Sequence, residues 1–237
     1  PTYGCMEFVD NTAAIFDIDS IDRKKNDISN FQCFKELRLS ETEKANFLKS
    51  TIFHYLIQDN PTADTLKKRL DTYTKSLAGY TIMTYILTIG DRHEHNILIT
   101  QDGHFLHIDF GFVFGDDAKP LTQPVRIREN FLLPIDAKMN NALISVVTYA
   151  WPAFREVRKH SRLLLALIEL MISADIECFR TKSIDKLRLL EQGLMLDLND
   201  DAALQELLNV FLDSIKSSIT TFYDYIHEVA TKINKKK

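Results

Sequence analysis

The sequence predicts a mainly helical fold that carries one small β-hairpin. Three observations lead there. A helical region over 63–89 ends in an apolar stretch before Gly90, and from Leu204 onward apolar residues recur at steps of three and four. Two short β-rich runs flank Asp102-Gly103, a strong hairpin signal. Strands and helices do not alternate along the chain, which argues against a doubly wound sheet.

Residues 4–9, Gly-Cys-Met-Glu-Phe-Val, read as a short strand. Segment 17–31 is polar and charged and reads as an exposed loop or insertion. Ser40 and Glu43 stand at capping-box spacing, which predicts a helix to about Gln58, before Asn60-Pro61 breaks it. The stretch Leu77–Ile89 is interrupted by Gly79 and three threonines. A membrane span needs ~18 or more apolar residues, so this stretch is predicted to be a buried helix. The hairpin is predicted from Asn96 to Thr100 and from His104 to Ile108.

Residues 109–135 hold Gly111, Gly115 and three prolines, with no helical period. A loop of roughly 25 residues is usually functional or disordered. Helix resumes at 139 with a break expected near Trp151-Pro152. Segment 160–173 is apolar nearly all round and is expected to be a central buried helix. Asn199 followed by two acids predicts the N-terminus of a last helix over 199–237. Its apolar stripe is read as core packing, and its terminal Lys232 and Lys235–Lys237 as suited to the helix dipole or to an anionic membrane surface.

Length and charge narrow the function. The 237 residues suffice for one sizeable core, and a net charge of −4 lacks the basic footprint of a duplex-binding domain, so no nucleic-acid partner is expected. Cys5, Cys33 and Cys178 are odd in number and far apart, which suits free thiols in a reducing, cytoplasmic setting. Five of only seven glycines (Gly79, Gly90, Gly103, Gly111, Gly115) crowd one window. Gly79, inside the preceding helix, is expected to allow close packing.

That window holds the chemistry. Gly90-Asp-Arg-His-Glu-His-Asn96 precedes the hairpin and His107-Ile-Asp-Phe-Gly111 follows it. Both clusters leave the same end of a two-stranded ribbon, so Asp91, His93, Asn96 and Asp109 are expected to converge. They supply an acid/base pair and two oxygen ligands for a hard cation such as magnesium. Phosphoryl transfer needs these parts.

The order D-R-H-x-x-N followed by H-I-D-F-G resembles the phosphatidylinositol 3-/4-kinase superfamily. Residues 78–120 resemble the class III phosphatidylinositol 3-kinases, the vacuolar-sorting type. Weaker similarity extends over 51–62, 149–171 and 196–208. The resemblance implies that 1–237 is the C-terminal lobe of a protein-kinase-like α+β fold, with 4–9 as hinge strand, 90–96 as catalytic loop, 109–130 as activation loop and 199–237 as C-terminal helix. The N-lobe, with its Gly-rich loop and lysine, is expected to be absent from this chain.

It also implies roles. His93 is the base for the inositol 3-hydroxyl, Asp91 its helper, and Arg92 a stabiliser of the loop or its charges. Asn96 and Asp109 would hold Mg2+ (or Mn2+) on ATP. Leu98 and Ile108 would floor the adenine pocket, with Glu7, Phe8 and Val9 along its hinge. Lys119, Arg126 and Arg128 would meet the lipid headgroup. The few basic residues there suit unphosphorylated phosphatidylinositol rather than a bisphosphate. The implied product is phosphatidylinositol 3-phosphate, made in vesicle trafficking or autophagy. The implied setting is peripheral, on endosomal or autophagic membranes, with a regulatory kinase-like subunit and a coiled-coil adaptor. His95 departs from the family, whose class III members usually carry Asp there.

Three alternatives stay open: a phosphatidylinositol 4-kinase, a non-catalytic kinase lobe that binds lipid or a partner, and a metal hydrolase built on the crowded His93, His95, His104 and His107. The last is weakened because His104 and His107 are expected on opposite strand faces. His107 reads instead as a buried structural histidine.

Overall fold

The computed structural model describes residues 8–20, 31–116, 125, 127–174 and 176–215. The predicted ribbon is one strand larger than expected. Strand β1 (Thr12–Ala14) pairs antiparallel with β2 (Ile97–Thr100), which pairs antiparallel with β3 (Phe105–His107). Leu98 stands opposite both Ala14 and Leu106. Three residues are too few to show a period-2 pattern, so β1 leaves no sequence signal. Of the hinge strand expected at 4–9, Phe8 and Val9 lie outside any strand, with Phe8 83% exposed. Glu7 lies outside the described residues.

The β2–β3 turn explains one glycine. Gly103 has φ +100°, and a Cβ there would stand 2.2 Å from the Arg69 carbonyl oxygen. Only a residue without a side chain fits.

Helix α1 (Ile15–Asp19) follows β1 directly and buries Ile15 and Ile18 completely. The polar segment at 17–31 therefore begins inside the fold; 21–30 lie outside the described residues. Helix α2 spans Gln32–Leu37. The capping box at Ser40 forms as expected, with Ser40 Oγ accepting from the Glu43 amide and Glu43 accepting from the Ser40 amide. The helix it starts is shorter than predicted. Helix α3 (Glu41–Phe47) buries no residue, whereas α4 (Thr51–Ile57) buries six of its seven. The chain restarts between them at Ser50, whose hydroxyl caps the Phe53 amide at 3.1 Å. Phe34, Phe53, Ile57, Leu66 and Cys33 form a satellite core beneath them.

The spine is α5 (Ala63–Ile86) packed along α7 (Met139–Lys159). Tyr73 of α5 is fully buried and donates to the Phe131 carbonyl at 3.0 Å. Helix α5 stops short of the predicted residue 89 because Thr88 turns to φ +42°. Gly79 is not a close-packing glycine. It is exposed, and a Cβ there would meet nothing within 4 Å. We expect Gly79→Ala to stabilise the protein by ~0.5–1 kcal/mol, read as a higher denaturation midpoint; a lower midpoint would mean that another part of the protein needs that space.

The long loop contains one short helix, α6 (Glu129–Leu132), whose Phe131 and Leu132 are buried. Helix α7 does not break at Trp151-Pro152. Pro152 lies on the exposed side, so the carbonyl it leaves unbonded is open to hydration, while Trp151 and Phe154 anchor the buried side. Helix α8 (Ser161–Ser173) is not central. It packs on α7 and on α9 (Ser183–Gly193). It buries only Ser161 and Ile168 and exposes Leu163, Leu167 and Leu170. The α10 helix (Asp200–Ile215) starts as expected, with Asn199 Oδ1 accepting from the Ala202 amide at 2.9 Å. Its stripe Leu204, Leu208, Phe211 and Ile215 is buried. The rest of the predicted helix, its lysines included, lies outside the described residues. Among the described residues, no helix is long and apolar enough to cross a membrane.

Candidate active site

The two polar clusters meet at one end of the sheet, as expected. Hydrogen bonds between the segment 87–96 and the segment 108–115 hold them together. Gly90 N–H donates to Phe112 O at 2.9 Å, Phe114 N–H to Leu87 O at 2.8 Å, and Ile108 N–H to Asn96 O at 3.0 Å. The loop itself is tight. His93 N–H donates to Asp91 O and Asn96 N–H to His93 O, each at 3.0 Å, and Glu94–Asn96 form one 3-10 turn. Asp91 and Asp109 both take left-handed backbone, at φ +52° and +58°. Such conformations cost energy and cluster at functional sites.

Arg92 is the brace. It is 3% exposed, its Nε donates to Gly90 O at 2.7 Å and its Nη1 to Ile108 O at 2.7 Å. Its Nη2 donates to Asp109 O. The guanidinium also lies 5.5 Å from the Phe110 ring centroid. These three bonds all run to backbone carbonyls. The bonds fit the loop-stabilising role expected of Arg92, because a planar fork of donors can tie three carbonyls at once. Replacing Arg92 with Met leaves those carbonyls without their donor at ~1–3 kcal/mol each. We expect a loss of at least ~3 kcal/mol in chemical denaturation, and Arg92→Lys should not restore it; a shift of only a few tenths would refute the brace.

The remaining groups differ in exposure. His93 Nε2 stands 3.6 Å from Asp91 Oδ2, with about half of the His93 side chain exposed. Asn96 is buried and donates from Nδ2 to Asp91 O at 3.0 Å, which turns its Oδ1 the other way. Asp109 is exposed and accepts from Gly111 N–H at 3.2 Å through one carboxylate oxygen. The other oxygen is available to a cation. Leu98 and Ile108 are half-buried beside these groups. Two oxygen donors fit magnesium or manganese, which keep most of their shell for water and substrate phosphates.

The histidines separate. Burial pushes the His107 imidazole down to about 3, with the nearby Arg92 guanidinium adding to the effect. It lies against Tyr80 and Phe105 and remains neutral, the buried structural histidine expected. His104 pairs with Asp102 at 3.0 Å in the hairpin turn. His95 stacks on Phe16 of α1 at 4.0 Å between centroids. That stack occupies the ring which departs from the family pattern. Among the described residues, no three His, Cys, Asp or Glu side chains converge as a metal site, so the metal-hydrolase reading lacks its ligands. A cavity of about 1330 Å3 opens at the hairpin-turn end, between Tyr80, Gln101 and Asn11. None of Asp91, His93, Asn96 or Asp109 lines it.

The model of the family "Phosphatidylinositol 3- and 4-kinase" matches residues 1–181. The chain belongs to the phosphatidylinositol 3- and 4-kinase family. Curated relatives agree. The Caenorhabditis elegans "Phosphatidylinositol 3-kinase catalytic subunit type 3" is 34% identical over 158 residues, 67% of this chain and 18% of the relative. "Phosphatidylinositol 3-kinase VPS34" of Saccharomyces cerevisiae is 30% identical over 161 residues, 68% of this chain and 18% of that protein. Its Arabidopsis thaliana namesake is 32% identical over 161 residues, 68% of this chain and 20% of that protein. The chain thus spans about a fifth of the length of these kinases. The mostly helical fold with its small sheet is consistent with a catalytic lobe of the family.

Among the basic residues expected to meet the headgroup, Lys119 and Arg126 lie outside the described residues. Arg128 is placed, and it already has a partner: its guanidinium bonds the Glu94 carboxylate and lies 5.8 Å from the Phe131 ring centroid. Sequence reasoning missed Glu94 as that partner. It stands at one of the two variable positions of the family motif, and no local pattern joins residues 34 apart.

Proposed function

We propose that this chain is the C-terminal lobe of an ATP-dependent phosphatidylinositol 3-kinase and acts within a longer protein. The observation that carries the reading is the Arg92 brace, which sets Asp109 beside the loop bearing Asp91, His93 and Asn96. His93 stands half-exposed with a carboxylate 3.6 Å behind it, as a base for an incoming hydroxyl needs. As the proton arrives on the imidazole, Asp91 stabilises the cation that forms. Asn96 and Asp109 would hold a divalent cation, which would supply charge neutralisation for the ATP phosphates. Leu98 and Ile108 give the adenine an apolar floor. The sequence has no G-x-G and no lysine strand of the kind that cradles phosphates, so the reading assigns that cradle to another part of the protein.

The acceptor is unphosphorylated phosphatidylinositol. Each added phosphate asks for its own cation, and Arg128 is already paired with Glu94. The product is phosphatidylinositol 3-phosphate, made on endosomal or autophagic membranes by a peripheral enzyme with a regulatory kinase-like subunit and a coiled-coil adaptor. The test is phosphate transfer by the full-length protein to vesicles of phosphatidylinositol, its 4-phosphate or its 4,5-bisphosphate, with the modified ring position identified. A 3-phosphate from the unmodified lipid supports the reading. A 4-phosphate would make this a 4-kinase, preference for the bisphosphate would overturn the acceptor, and no transfer would leave a lipid-binding lobe.

A further inference from the structure

The rings of Phe16, His95 and His93 lie in a row that runs from helix α1 to the catalytic loop. Phe16 and His95 stack with centroids 4.0 Å apart and planes 29° apart. The His95 ring then meets the His93 ring edge to face, at 5.6 Å and 78°. The row lies at the surface. Phe16 is 48% exposed and belongs to neither hydrophobic core, and both histidines are exposed.

Both ends of the row are fixed from behind. Ile15 and Ile18 are fully buried, which turns Phe16 of the same short helix outward. Strand pairing sets Ala14, the residue before α1, opposite Leu98, so that α1 packs on the turn 94–96. The loop backbone is held by the amide bonds from His93 to Asp91 and from Asn96 to His93, and by the one from Ile108 to Asn96. These bonds leave the His93 side chain unfixed. Its Nε2 is 3.6 Å from Asp91 Oδ2, too far for a hydrogen bond, so the carboxylate attracts the ring without setting its rotation. The last torsion of an imidazole is soft. The His95 ring supplies the second contact, and edge-to-face pairs are directional.

We propose that His95 is a positioning residue for His93, with Phe16 as its anchor. The stack on Phe16 holds the His95 ring still, and that ring narrows the orientations open to the His93 imidazole before it takes the acceptor's proton. A base must point at the proton it removes, and misorientation costs rate. His95 stands where the loop departs from the family pattern, so the restraint is a feature of this chain. The inference rests on the kinase reading above, in which His93 is the base.

The test uses the full-length protein with ATP, magnesium and vesicles of phosphatidylcholine and phosphatidylinositol. His95→Ala should lower kcat about threefold to tenfold, the size of one aromatic pair, and leave KM for ATP and the magnesium requirement unchanged. Phe16→Ala should give a similar loss, and the two together no more than either alone, since they act through one contact. His95→Phe keeps both ring contacts and should retain most of the activity. The deciding measurement is made without the base. On the residual transfer of His93→Ala, adding His95→Ala should have no further effect, because a residue that acts through an imidazole loses its role with it.

An equal loss from His95→Ala in both backgrounds would make His95 a support of the loop and overturn the inference; a folding defect shows itself in the same way, because it persists without the base. A raised magnesium requirement would place the action of His95 at Asn96 and overturn it too. So would full activity of His95→Ala, or a His95→Phe variant as impaired as His95→Ala. A wild-type protein that transfers no phosphate, or a His93→Ala variant as active as wild type, is a different failure: it removes the kinase reading or the base, and the positioning role with it, before any His95 variant is compared.

Discussion

On the proposed kinase reading, Asp109→Asn in the full-length protein is expected to lower phosphate transfer to lipid on the order of 10³-fold, because a metal's charge stabilisation in the transition state is worth several kcal/mol. The substitution is close to isosteric. It keeps the Gly111 amide bond within reach and leaves the backbone carbonyl that Arg92 grips untouched. What it removes is the negative charge of an exposed carboxylate beside Asn96. The loss should therefore come with a raised requirement for divalent cation, measured as activity against magnesium concentration, and with little change in folding stability. Activity within about tenfold of wild type at the same magnesium concentration would remove Asp109 from the metal site; a variant that fails to fold would show as a lost melting transition and is separated from the catalytic effect by that measurement.

His93→Ala is expected to reduce the same transfer by ~10²–10⁴-fold, the usual contribution of a positioned general base. The side chain is half-exposed and lies against the Asp91 carboxylate and the His95 ring. Its removal should therefore leave the fold intact. The signature differs from that of Asp109→Asn: magnesium dependence stays as in wild type, and slow hydrolysis of ATP without lipid survives. Asp91→Asn should give a smaller loss, since the carboxylate acts through the imidazole. If His93→Ala retains most of the activity while Asp91→Asn loses it, the carboxylate is the base and the assignments exchange.

Legibility was uneven. The site was readable because its residues are close in the sequence and a tight turn brings them together. Asp102-Gly103 announces the hairpin, and the hairpin places the D-R-H-x-x-N and D-F-G clusters at one end. The α10 start was readable because its cap is local: Asn199 bonds an amide three residues on. The errors share a cause. Strand β1 is too short to carry a period, and its existence depends on a partner more than 80 residues away. Pro152 breaks a helix only where the freed carbonyl is buried, and exposure of that face is a tertiary fact. An apolar segment such as 160–173 reads as central, yet α8 covers only one side of itself.

By itself, the sequence determined the helical class, the hairpin and the four groups that meet at one end of it, because each is encoded within a few residues of itself. The tertiary structure decided which charges are free to act. It turned Arg92 inward onto three carbonyls, neutralised His107 by burial, stacked His95 on Phe16, and paired Arg128 with Glu94 and Lys186 with Asp116. Those pairings join residues that are tens of positions apart. A charge's partner is set by which surfaces the whole chain packs together, and no local pattern of residue types records that.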